Sequence, residues 1–198
     1  MDERWTVDHK RMASIATRLC PALVTCFALA LPAAASAAVP CADAGVVPSA
    51  ASLASAKQAT LCLLNAERTA RGLPRLTSNV QLGKAAQGYS ANMVRQQFFD
   101  HTTPAGVSLK TRVRRGTTYL RGNLRSWSLG ENIGWGSGDL ATPTRIVRSW
   151  MSSSGHRHNI LDRGFRHIGI GVASGAPDDA VGQAAATYTT DFGSRVLG

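Results

Sequence analysis

Ile168-Gly169-Ile170-Gly171-Val172-Ala173 places branched apolar residues and small residues on alternate positions. That period of two is the mark of a β-strand. The glycines fall on one face, which implies that a helix packs closely against it. A second alternation follows a Gly175 to Gly182 connection containing Pro177: Ala184, Ala186, Tyr188, Thr190 and Phe192. Working back toward the N-terminus, the pattern changes to helical spacing. Helices first and adjacent strands last predict an α+β domain with an antiparallel sheet.

The first helical pattern takes Ala59, Cys62, Leu63, Ala66, Ala70 and Leu73 as its inward face, with Lys57, Glu67, Arg68 and Arg71 outward. Gly72 and Pro74 stop it. The second opens on Ser78-Asn79-Val80-Gln81, read as a capping box with Ser78 at the N-cap. Leu82, Ala86, Tyr89 and Met93 form its inward stripe, and it ends near Phe99. His101 follows in a turn containing Asp100 and Pro104-Ala105-Gly106, where a helix C-terminus favours a histidinium. A short helix fits Leu109 to Arg115, and residues 116–128 read as irregular. Gly130, Gly134, Gly136 and Gly138 read as a glycine-rich loop carrying Glu131 and Asn132. No Gly-Lys-Ser/Thr follows, so it is not a phosphate cradle. Thr142 and Pro143 start a third long helix with Ile146, Val147, Trp150 and Met151 buried. Ser152-Ser153-Ser154-Gly155 ends it, which puts His156 just past the end.

The N-terminus carries Arg4, Lys10, Arg11 and Arg18, an apolar run from Pro21 to Pro32, and then Ala33-Ala34-Ala35-Ser36-Ala37-Ala38. This is the layout of a secretory signal peptide cleaved after Ala38. The run is shorter than the roughly 20 residues of a spanning helix, so no stable membrane anchor is expected. Residues 39–54 read as a flexible leader and residues 55–198 as a single domain. The whole chain holds 22 basic and 12 acidic residues, a net +10. Loss of four basic and three acidic residues with the signal leaves +9. The basic residues are scattered and not interleaved with aromatics. They read as a solvated surface rather than a nucleic-acid interface. Cys20 and Cys26 leave with the signal, and Cys41 and Cys62 remain. In an exported chain that pair predicts one disulfide.

Taken in order, Leu64-Asn65-Ala66-Glu67-Arg68, Asp100-His101-Thr102-Thr103-Pro104, Gly130-Glu131-Asn132-Ile133, Trp150 to Leu161 and Ile168 to Val172 resemble the CAP superfamily. That superfamily comprises the cysteine-rich secretory, antigen 5 and pathogenesis-related 1 proteins, also called SCP-like extracellular domains. The resemblance is nearest to its short bacterial branch and covers about residues 57–193. It implies a three-layer α-β-α sandwich with a central antiparallel sheet and a cleft holding two histidines and two acids. His101, Glu131 and His156 match three of these four. The place of the second acid is held by Ser153.

Three readings of these residues stand open. In the first, the cleft, with His101, Glu131, Asn132, His156 and Ser153, binds an extracellular lipid, peptide or cell-wall fragment. Trp127 and Trp135 would help line it, Trp150 would belong to the core, and the chain would not be an enzyme. Two imidazoles and a carboxylate also suit a divalent metal such as zinc, held by His101 and His156 with Glu131 auxiliary. In the second reading the same three residues are catalytic in a metal-assisted hydrolase, or Ser153 or Ser154 approaches His156 in a triad. In the third they form a structural hydrogen-bond network in an interaction scaffold. His158 and His167 read as surface or core histidines, His158 with a weak claim as an auxiliary ligand. A monomer is expected.

Overall fold

A computed structural model describes residues 41–178 and 184–198. The expected signal segment, Cys20 and Cys26 included, and half of the Gly175 to Gly182 connection lie outside the described residues. In chain order the elements are α1 (Leu53–Thr69), β1 (Thr77–Ser78), α2 (Val80–Gln96), α3 (Leu109–Gly116), β2 (Leu124–Ser137), a 3-10 turn (Gly138–Ala141), α4 (Pro143–Ser152), α5 (Ser154–Leu161), β3 (His167–Ser174) and β4 (Ala185–Leu197).

The two alternating stretches are the centre of the sheet. β3 and β4 pair antiparallel, β4 pairs antiparallel with β2, and the two-residue β1 adds a parallel partner to β3. The strand order is β1-β3-β4-β2, so β2 is an outer strand. α2 lies on one face. A Cβ at Gly169 would stand 2.0 Å from the Leu82 carbonyl carbon, and one at Gly171 would stand 2.2 Å from Ala86 O. These glycines let the α2 backbone sit directly on the sheet. The opposite face buries Ile168, Val172, Ala186, Tyr188 and Phe192 against Leu64 of α1 and Ile146 and Trp150 of α4. The result is the expected α-β-α sandwich.

Several local expectations need correction. Ser78 does not cap α2. It pairs with Ile168 in β1, and Asn79 Oδ1 accepts from Gln81 N and Leu82 N at 3.0 and 3.1 Å. α2 stops at Gln96 because Gln97 takes the left-handed conformation. The glycine-rich segment is not a loop but most of the fourteen-residue β2. Its glycines make room for other side chains: a Cβ at Gly134 would meet the Trp150 indole at 2.9 Å, and one at Gly130 would meet Phe165 at 2.8 Å. Past Ser153 the chain re-enters a helix, so His156 sits in the first turn of α5 instead of beyond a helix end.

α1 is rotated from its expected phase. Ala59 and Leu64 are buried, Ala66 and Ala70 are exposed, and Arg68, expected outside, is fully buried. The reason is polar pairing with backbone. Asn65 brackets Leu76, its amide donating to Leu76 O at 3.1 Å and its oxygen accepting from Leu76 N at 2.7 Å. Arg68 donates to Pro74 O, Ile160 O and Asp162 O at 2.8–2.9 Å. Buried polar groups with such partners are tolerated, and a stripe drawn from apolar residues alone overlooks them. The leader is partly structured: Cys41 bonds Cys62 across a separation of 21 residues, and Ala44 O accepts from both the backbone N and the hydroxyl of Thr144 at 2.9 Å.

Candidate functional site

Glu131 lies near the middle of β2, its side chain 3 % exposed. One carboxylate oxygen, Oε1, lies 2.9 Å from His101 Nδ1. The other, Oε2, accepts from Arg112 Nη2. Arg112 comes from α3 and donates through Nη1 to His101 O at 3.0 Å. Its guanidinium carbon stands 3.3 Å from the centroid of the Tyr89 ring, a cation–π contact. Tyr89 in turn donates from its hydroxyl to Asp100 O, and Asp100 Oδ1 accepts from Thr102 N at 2.8 Å. The turn that carries His101 is therefore held by α2 on one side and α3 on the other. The hydrogen bond to Glu131 raises the pKa of His101, against the opposing effect of burial.

His156 arrives from the opposite layer. Asn132, beside Glu131 on β2, donates from Nδ2 to His156 O at 3.1 Å. Asn159, one turn further along α5, donates to Glu131 O at 3.1 Å and to Asn132 Oδ1 at 2.9 Å. Trp150 Nε1 donates to Ile133 O at 2.9 Å. Burial lowers the pKa of His156, and the charge of His101 lowers it further. The two histidines thus reach the outer side of β2 from the two helical layers, near enough to influence each other. Ser153 does not join them. It is the N-cap of α5 without a side-chain cap bond, and among the described residues neither it nor Ser154 hydrogen-bonds His156.

Three members of this cluster escaped the sequence. Arg112 belongs to a basic run read as surface. Asn159 lies in the matched motif but had no role assigned. Asp191 stands opposite Glu131 in the β2–β4 register, fully buried, and no donor N–H or hydroxyl among the described residues reaches its carboxyl oxygens. Burial, and then the charge of Glu131, raise its pKa well above the carboxylate range, with Arg112 opposing. Burial beside a like charge favours the neutral form of Asp191. The available signal was an acid inside the second alternating strand, away from any turn.

A cleft of about 590 Å³ runs from His156 along β2 and α4. Phe99, Trp135, Leu140 and Ile146 give it apolar walls, and Arg145 and Arg148 line it as well. Trp135 is a cleft residue as expected. Trp127 is not: it lies 41 % exposed with Lys110 Nζ 5.4 Å from its ring centroid. Trp150 also lines the cleft, yet it is 2 % exposed and packs in the core. His158 is exposed, and His167 Nδ1 pairs with the Tyr119 hydroxyl at 2.9 Å.

Among the described residues no group of three or more His, Cys, Asp and Glu side chains is arranged to hold a metal ion. Both Glu131 oxygens already have cationic or imidazole partners. As arranged, the donors do not fit a three-ligand zinc site, and no step is derived through a metal. No helix among the described residues is long and apolar enough to cross a membrane.

The chain is similar to two Bacillus subtilis (strain 168) proteins. It is 39% identical over 116 residues to the uncharacterized protein YkwD, covering 58% of this chain and 41% of that one. It is 30% identical over 112 residues to the uncharacterized membrane protein YlbC, covering 57% and 30%. It therefore spans less than half the length of either relative. Among solved structures, an extracellular protein containing a SCP domain from Bacillus anthracis str. Ames aligns with TM-score 0.56 at 24% identity, over 73% of this chain and 43% of that one. An outer surface protein from Borrelia burgdorferi aligns with TM-score 0.53 at 17% identity, over 69% and 90%. Both share the fold. Residues 61–190 match the Cysteine-rich secretory protein family, CAP, and the chain belongs to it.

Proposed function

We propose that this is an exported CAP-domain binding protein. Residues 1–38 act as its signal peptide, 39–54 as a leader, and 55–198 as one domain that works as a monomer. The cleft beside His156 takes an extracellular ligand with an apolar body and an anionic end. The observation that carries this reading is the cleft itself: aromatic and aliphatic walls, with Arg145 and Arg148 among its lining residues. Cavities of this size and make-up suit small amphipathic ligands. In this reading His101, Glu131, Asn132 and Asn159 fix the cleft's edge, and no catalytic residue is assigned. A serine hydrolase would need a hydroxyl hydrogen-bonded to an imidazole, and among the described residues Ser153 makes no such bond to His156. A zinc ion would have to compete with the bonds that His101 and Arg112 make to Glu131.

The test is a titration of a long-chain fatty acid into the exported chain, followed by Trp135 fluorescence and calorimetry. Saturable binding is expected, weakened about tenfold by Arg145→Gln/Arg148→Gln, which removes the cations offered to the anionic end, a loss of about 1.4 kcal/mol. Equal affinity in the variant, or no binding by the native chain, would overturn the reading.

A further inference from the structure

A second cavity, of about 460 Å³, lies in the groove between α2 and α3. It shares no lining residue with the His156 cleft. Its charged lining residues are Lys84, Arg95, Arg112 and Arg115, and no acidic residue lines it. Lys84, Arg95 and Arg115 repel one another across the groove, and a bound anion would relieve that repulsion. Arg112 differs from them: it is paired with Glu131, its side chain is 10% exposed, and its Nε is closed to solvent, so it forms part of the groove's wall while the exposed cations offer the contacts.

The floor of the groove is open at a glycine. Gly88 sits inside α2 and lines the cavity, yet a Cβ there would meet nothing within 4 Å. Glycine inside a helix costs about 1 kcal/mol relative to alanine. Gly169 and Gly171 admit a neighbouring backbone, whereas Gly88 admits nothing but the groove. Arginine's planar fork matches paired phosphate oxygens, and the volume exceeds that of a single inorganic ion.

We propose that the α2–α3 groove is an anion site for a phosphate-bearing ligand of at least two negative charges, held by Lys84, Arg95 and Arg115 with Arg112 in its wall. The proposal is independent of the reading of the His156 cleft. Arg112 lines the groove and also holds Glu131 and His101, so the groove adjoins that polar cluster.

Calorimetric titration of the exported chain with sodium pyrophosphate at low salt tests it. One-to-one binding is expected, weakening as salt is added. The exposed double variant Lys84→Gln/Arg115→Gln should bind at least tenfold more weakly. Gly88→Leu should do the same by filling the groove without changing charge. The charge-matched control Arg121→Gln/Arg125→Gln, on exposed positions elsewhere, should bind like the native chain. Absence of pyrophosphate binding together with absence of phospholipid binding overturns the proposal. So does equal loss in the control, which would reduce the effect to net charge, and so does native affinity in Gly88→Leu. Vesicles of phosphatidylglycerol, with phosphatidylcholine as the neutral reference, identify the source. Vesicle binding lost in the groove variants places the phosphate on a lipid, and pyrophosphate binding without vesicle binding places it on a soluble ligand; either result supports the site.

Discussion

Asp191 and Arg112 illustrate how much of a site depends on single positions. Because burial and the charge of Glu131 raise the folded carboxyl above its unfolded value, protonated Asp191 favours the fold at acid pH. That contribution is complete below the unfolded value near 4 and is lost as pH climbs through the folded value. Asp191→Asn keeps the shape, removes the titration and supplies a permanent donor toward Glu131. The variant is expected to be more stable than the native chain at pH 7 by about 1–3 kcal/mol, with the gap closing toward pH 4. Thermal unfolding at the two pH values measures this. A variant less stable at pH 7 would mean that Asp191 is ionised and held. His101, Glu131 and His156 were legible because each lies in a short motif with few alternative readings. Asp191 was hidden by an assumption about faces: positions opposite Tyr188 and Phe192 were left unassigned, but β4 is covered on both sides and buries them too. Arg112 was hidden by its neighbours, since nothing in a run of basic residues marks the one that turns inward.

At the scale of elements, the alternation of Ile168 to Ala173 specified both a strand and the helix lying on it, because only small side chains on one face allow so close an approach. Gly171→Ala would drive a Cβ to 2.2 Å from the Ala86 carbonyl oxygen, a backbone atom that cannot swing aside. A loss of about 3 kcal/mol or more is expected. Gly83→Ala, on the helix itself, meets nothing within 4 Å and should gain about 0.5–1 kcal/mol. Urea denaturation of the pair reads the difference, and similar destabilisation by both would show that helix content, not contact with the sheet, governs the response. β2 was misread because four glycines look like turn punctuation. Here two of them instead make room for Trp150 and Phe165, and that reason exists only once the layers are assembled. The α1 phase failed similarly, since Asn65 and Arg68 are buried by partners far along the chain.

For the whole molecule, the disulfide was read correctly from export and cysteine count, and its place explains its effect. Cys41–Cys62 fastens the leader to α1, while Ala44 fastens it to α4. Closing a loop of this length contributes about 3 kcal/mol in the chain-entropy model. Reduction should lower the melting temperature by roughly 6–12 °C, and the native chain should resist thiol labelling until reduced. Prompt labelling of unreduced protein at both positions would count against the bond.

The outer position of β2 has a further consequence. A fourteen-residue strand at the margin of a sheet offers a row of carbonyls and amides to any passing chain, the usual route to self-association by strand addition. Here Asn159 occupies the carbonyl of Glu131 and Trp150 that of Ile133. The side chains that assemble the cleft therefore also shut the sheet. Any variant that loosens α5 exposes a template for aggregation at the same moment that it disturbs the Glu131 cluster, so the order of that cluster and this protein's colloidal safety rest on the same few hydrogen bonds.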